Sequence, residues 1–128
     1  MNIERVTSHW TTNTYYIESK GESVIIDASD SAIKEYVDIL PKHIILTHGH
    51  VDHIEVLDDL RSTYKCDVVI QETGQQMLTD PMMNTSGFFP QFKTISCEEA
   101  EVVFKGEEYV FSIGAVSYTH LRAHETYV

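Results

Sequence analysis

The stretch Thr47-His48-Gly49-His50-Val51-Asp52-His53 constrains this chain more than any other part of it. Imidazole and carboxylate groups at such short spacing form a donor set for divalent metal, suited to zinc, with iron or manganese also possible. Residues two apart on an extended segment point to the same side, so His48 and His50 can reach one ion together. Asp52 and His53 stand where the chain turns into a helix and can aim at a neighbouring point. Gly49 reads as a place where the backbone passes close to the ions in an unusual conformation. The apolar run Ile44-Ile45-Leu46 just before the cluster reads as a strand buried on both faces. The cluster therefore leaves the carboxyl end of a strand, where ligand sites lie in sheets covered by helices.

The rest of the chain supplies that sheet. Ile3 to Ser8 is β-prone, and Thr14 to Glu18 and Ser23 to Asp27 flank the turn Ser19-Lys20-Gly21-Glu22. Ser29 to Ser31 can cap a helix carrying Ile33, Tyr36, Val37 and Leu40, which Pro41 ends. Ile54, Leu57, Leu60 and Tyr64 share one helical face after the cluster. Val68-Val69-Ile70 is a further buried strand, followed by a helix over Glu72 to Leu78. Asp80 to Phe92 is a loop marked by Pro81, Asn84, Gly87 and Pro90. Val102 to Phe104 and Tyr109 to Ile113 read as a hairpin across Lys105-Gly106-Glu107. A β-rich opening, then β-α-β-α, then β again, implies an α+β fold.

Composition narrows the function. With 128 residues the chain forms one domain, and 9 basic against 20 acidic side chains leave a net charge of −11. Such a surface repels phosphate, which argues against nucleic acid and anionic membranes as partners. Cys66 and Cys97 lack paired spacing and read as isolated thiols of a reducing compartment. No secretory leader opens the chain and no apolar run has membrane length, so the expected location is cytoplasmic. His9 and Trp10 read as packing or surface residues, and His43 as a polar boundary residue. Met82, Met83, Phe88 and Phe89 read as a loop packed on the body, with the wall of a substrate pocket as the other reading.

THxHxDH resembles the signature of the metallo-β-lactamase-fold hydrolases, which are αββα sandwiches with a dinuclear metal site at one edge. Asn13-Thr14-Tyr15 and Val24 to Asp27 resemble that family's opening strands, and the resemblance covers roughly residues 1 to 114. It implies the N-terminal half of such a sandwich. His48 and His50 would bind a first metal, and Asp52 and His53 a second, both zinc, with iron or manganese the alternatives. Asp52 would also take or relay a proton. Asp27 would support the ligands from behind, although a turn or capping aspartate is an equally open reading. The loop Leu78 to Ser86 resembles one in small bacterial proteins similar to glyoxalase II, the hydroxyacylglutathione hydrolases. That implies a small-molecule thioester substrate such as an acyl-glutathione, attacked by metal-activated hydroxide in a full-length parent, with this chain alone expected to be inactive. The alternatives are an iron-dependent persulfide dioxygenase of the same fold, or a non-enzymatic fragment. Two departures leave the ligands intact: Ile54-Glu55-Val56 replaces small residues, and Ala28-Ser29 replaces a frequent Pro-Gly.

The family completes its first metal with a third histidine beyond residue 113, and Thr119-His120 invites that role. The segment Val116 to Thr126, however, resembles the translation of a sequencing adapter. The expected organisation is thus a truncated domain over 1–114 and a non-native tail over 115–128, with a ligand role for His120 left open and His124 read as no ligand. Half a sandwich is expected to leave one face of its sheet bare, an aggregation or dimerisation surface.

Overall fold

The computed structural model describes residues 1–114 and the backbone of residues 118–122. Six strands form one mixed sheet in the order β1 (Asn2–Thr7), β2 (Asn13–Ser19), β3 (Glu22–Ile26), β4 (His43–Ile45), β5 (Asp67–Gln71) and β6 (Val102–Phe104). β1, β2 and β3 are antiparallel, whereas β3, β4, β5 and β6 run parallel. Parallel neighbours need crossovers. These are the 3-10 helix Ser31–Tyr36, then α1 (Val51–Ile54) with α2 (Leu57–Tyr64), and then α3 (Glu72–Thr79).

The continuous apolar runs divide by parity, as side chains on a pleated strand must. Ile25, Ile44, Leu46, Val68 and Ile70 face the helical layer, where they pack with Ile33, Ile54, Leu57, Leu60 and Leu78. Val24, Ile26, Ile45 and Val69 face the opposite side. β7 (Glu108–Ser112) and β8 (Tyr118–Arg122) form a separate antiparallel pair. Phe111 of β7, with Ile113 just beyond it, closes over that second face. The layers are helix, sheet, sheet, and the α+β reading holds.

The structure corrects three local expectations. The face expected to lie bare is covered by Phe111 and Ile113. The hairpin expected across Lys105 to Glu107 does not form, because β6 joins the large sheet beside β5 while β7 pairs with β8. Gly106, at φ +86°, turns the chain from one sheet to the other, and its carbonyl accepts from Gln71 Nε2 at 3.1 Å. The expected helix through Leu40 stops at Tyr36, leaving Leu40 71% exposed. Its physical cause is Tyr16, whose hydroxyl accepts from the amides of Asp38 (3.2 Å) and Ile39 (3.0 Å), so these amides are bonded outside any helix. The cap is Asp30, which accepts from the Ala32 amide.

Of the tail expected to be foreign, residues 118–122 are described through their backbone only and the others lie outside the described residues. His120 is described only through its backbone pairing in β8, and His124 lies outside. Among the described residues, no helix is long and apolar enough to cross a membrane.

Candidate metal centre

β4 ends at Ile45, and the chain runs on through Leu46 and Thr47 into the cluster before α1 begins at Val51. Two backbone bonds fasten this segment to the neighbouring strand end: Ala28 donates to the His53 carbonyl, and Val56 donates to that of Ala28 (both 2.9 Å). Gly49 is needed here for a reason other than the one its sequence context suggests. It does not adopt positive φ. Instead, a Cβ at this position would stand 2.7 Å from Met77 Cβ and 3.0 Å from the Gly74 carbonyl oxygen. The glycine lets α3 press against the histidine segment.

His48, His50, Asp52 and His53 all line one open cavity of about 380 Å³. The His48 ring lies 4.9 Å from that of His53 and 5.7 Å from that of His50, centroid to centroid. Asp52 Oδ2 is 3.8 Å from His53 Nε2, within the span of two donors each about 2.0–2.2 Å from a common ion. The four residues singled out from sequence are thus brought together. Among the described residues, no three acidic, histidine or cysteine side chains already converge on one point as a closed metal site would require.

Asp27 stands directly behind this group. Its carboxylate lies 2.9 Å from His53 Nδ1 through Oδ2. It also accepts from the Thr47 amide (2.8 Å) and from Thr47 Oγ1 (2.5 Å). A carboxylate only accepts, so this contact places the proton on Nδ1 and leaves Nε2 with a lone pair facing the cavity. Burial alone would lower the His53 pKa, but the hydrogen bond and charge of Asp27, with the charge of Asp52, raise it above the ordinary histidine value. Asp27 itself sits at φ +64° and is buried, and the neighbouring 3-10 helix takes Asp30, not Asp27, as its cap. A histidine with its far nitrogen free and its near nitrogen bound by a carboxylate fits a divalent metal. His48, His50 and Asp52 complete a donor set of the same chemistry.

Sequence reading missed two contributors, Thr12 and Trp10. Thr12 Oγ1 donates to Asp52 Oδ2 at 2.6 Å. Trp10, expected to be packing or surface, lines the cavity and meets the Phe92 ring at 4.5 Å. Phe89 lines it as well, so part of the loop read as packing on the body walls the cavity, the other reading open for it. Buried Asn84 holds that loop in place: Nδ2 donates to the carbonyls of Met77 and Ile95 (2.9 Å each), and its carbonyl accepts from the Val51 amide. The only sequence cue to any of these was aromatic and polar residues in loops that no core would need.

The sequence profile described as the metallo-beta-lactamase superfamily matches residues 8–124. The chain is 27% identical over 100 residues to the probable metallo-hydrolase YqgX of Bacillus subtilis, covering 74% of this chain and 47% of that one. Among solved structures it is similar to the BLEG-1 B3 metallo-beta-lactamase, with a TM-score of 0.75 and 25% identity over 88% of this chain and 57% of that one. A class B3 di-zinc metallo-beta-lactamase, LRA-12 from an Alaskan soil metagenome, shares the fold at a TM-score of 0.62, with 16% identity over 80% of this chain and 42% of that one. The chain thus spans about half the length of the proteins it matches. Its sheet order, the donors gathered at the end of β4 and the profile match agree: the chain belongs to the metallo-beta-lactamase superfamily.

Proposed function

We propose that this chain carries the metal-binding edge of a metal-dependent hydrolase acting on a thioester of acyl-glutathione type. The observation that supports this best is the grouping of His48, His50, Asp52 and His53 on one cavity, with Asp27 orienting His53 from behind. His48 and His50 would hold one divalent ion, and Asp52 and His53 a second, with zinc the ion best suited to these donors. When bound, such ions lower the pKa of water so that hydroxide is available near neutral pH, and they polarise a carbonyl.

The chain's own residues supply the rest. Asp52, held by Thr12 and partly exposed to the cavity, can accept a proton from the attacking water and pass it to the departing thiolate. Asp27 keeps the proton of His53 on Nδ1, away from the reacting side. Trp10, Val51, Phe89 and Phe92 form an apolar wall beside these donors, suited to an acyl group and to excluding bulk water. The resemblance of Leu78 to Ser86 to the loop of glyoxalase II-like proteins favours the thioester over a β-lactam.

A full-length protein carrying this chain is assayed for metal content and for hydrolysis of an acyl-glutathione and of a chromogenic cephalosporin in parallel, beside residues 1–128 alone, which are expected to show no steady turnover. Metal-dependent thioester turnover exceeding cephalosporin turnover is the expected result. The reverse preference would replace the thioester reading, and absence of bound metal would overturn both.

A further inference from the structure

We infer that Thr12 is a positioning residue: its hydroxyl fixes the Asp52 carboxylate for metal binding and proton transfer. This rests on the metal-site reading of Asp52. The hydroxyl donates to Oδ2 at 2.6 Å across 40 residues of sequence, and Oδ2 is also the oxygen that faces His53 Nε2 at 3.8 Å. A carboxylate oxygen has two lone pairs. With one engaged by Thr12, the other is directed and the carboxylate loses its free rotation about the Cβ–Cγ bond. Asp52 is otherwise poorly restrained, since its side chain is 34% exposed and stands in the first turn of the four-residue helix α1.

Thr12 can do this because its own position does not depend on Asp52. The loop between β1 and β2 is closed on itself. The Ser8 amide donates to the Thr12 carbonyl, the Thr11 amide to the Ser8 carbonyl (2.9 Å each), and Ser8 Oγ accepts from the amides of Trp10 and Thr12 (3.2 Å each). Thr11 takes the left-handed conformation at φ +64°, which closes the turn. Two residues further on, buried Thr14 donates to the Asp27 carbonyl at 2.5 Å. Residues two apart in an extended lead-in share a face. One face of the entry to β2 therefore presents two hydroxyls, one to each aspartate of the site. Thr14 bonds the backbone of the supporting aspartate, and Thr12 bonds the carboxylate of the aspartate in the cavity.

The test is Co2+ binding to the full chain, read from its visible absorption and from competition with a chelator, for the wild type, Thr12→Val, Thr12→Ser, Asp52→Asn and the Thr12→Val/Asp52→Asn double variant. Urea midpoints of the metal-free proteins run alongside. Thr12→Val is expected to weaken Co2+ binding about 10–100-fold, the usual effect of losing a group that orients a ligand. Thr12→Ser is expected to stay within about 3-fold of wild type, and Thr12→Val to add nothing in the Asp52→Asn background. Unchanged affinity in Thr12→Val, or a loss that persists when Asp52 is already asparagine, overturns the positioning role. Failure of Thr12→Ser to restore binding does so too, because it would make the methyl group responsible. A wild-type chain that takes up no Co2+ overturns the metal reading itself, and this role with it.

Discussion

At the scale of single residues, Asp27 carries more structure than its place at the end of a strand would suggest. One carboxylate serves the Thr47 amide, the Thr47 hydroxyl and His53 Nδ1, while its own amide donates to the Ile45 carbonyl at 2.9 Å. Asp27→Asn keeps the shape but turns one acceptor into a donor facing Nδ1–H or Thr47. We expect metal affinity to fall about 10–100-fold. Stability should fall by about 1–3 kcal/mol, from leaving a buried polar group unsatisfied. Chelator competition and urea unfolding measure the two, and affinity matching wild type would show that His53 needs no orientation from behind. The four cavity residues were legible in sequence because their donor chemistry and spacing coincide. Thr12 was not, because a threonine forty residues from its partner leaves no periodic trace. Trp10 was not, because an aromatic side chain beside a strand reads equally well as core.

At the scale of elements, strands were readable and their partners were not. Val24-Ile25-Ile26, Ile44-Ile45-Leu46 and Val68-Val69-Ile70 reveal burial on both faces directly. The fate of Val102 to Phe104 depends on whether β5 or Tyr109 to Ile113 offers the better edge, and that is a tertiary choice. The expected helix through Leu40 fails for the same reason, since the hydroxyl of distant Tyr16 takes the amides it would have used. β4 carries a pH-sensitive element at its first residue, where His43 pairs in register with Asp67. Burial lowers the His43 pKa, Asp67 partly offsets this, and Lys42 adds to the lowering. The unfolded chain therefore binds a proton at this position more readily than the native one. Its contribution to stability is full above the ordinary histidine pKa of about 6.5 and is lost as pH falls through that value toward the lower native one. Urea midpoints between pH 7.5 and 5.5 are expected to fall less steeply for His43→Gln than for wild type. Parallel curves would remove His43 from the acid sensitivity.

At the scale of the molecule, three layers are present where the sequence suggested two with a bare face. The second layer matters energetically: Phe111 and Ile113 shield Val24, Ile26, Ile45 and Val69 from water. Phe111→Ala is expected to cost about 3–5 kcal/mol, the range for removing a buried phenylalanine. If denaturant unfolding shows a loss below about 1 kcal/mol, this strand pair does not hold the sheet. The fold class was accessible from sequence because alternating helices and doubly buried strands permit few architectures. The covering of the second face was not, since Tyr109 to Ile113 alternates in the same way whichever sheet it joins.

The self-bonded loop from Ser8 to Thr12 has a consequence for anyone who would re-engineer the site. It presents Trp10 to the cavity wall and Thr12 to Asp52 from one small rigid piece. A single insertion or deletion within it would shift the wall and the carboxylate together. On the proposed metal-hydrolase reading, the cavity wall and the orientation of the metal-binding carboxylate are therefore inherited jointly through this segment. Exchanging it whole between relatives, with Ser8 and both threonines kept in step, is the way to alter the first without sacrificing the second.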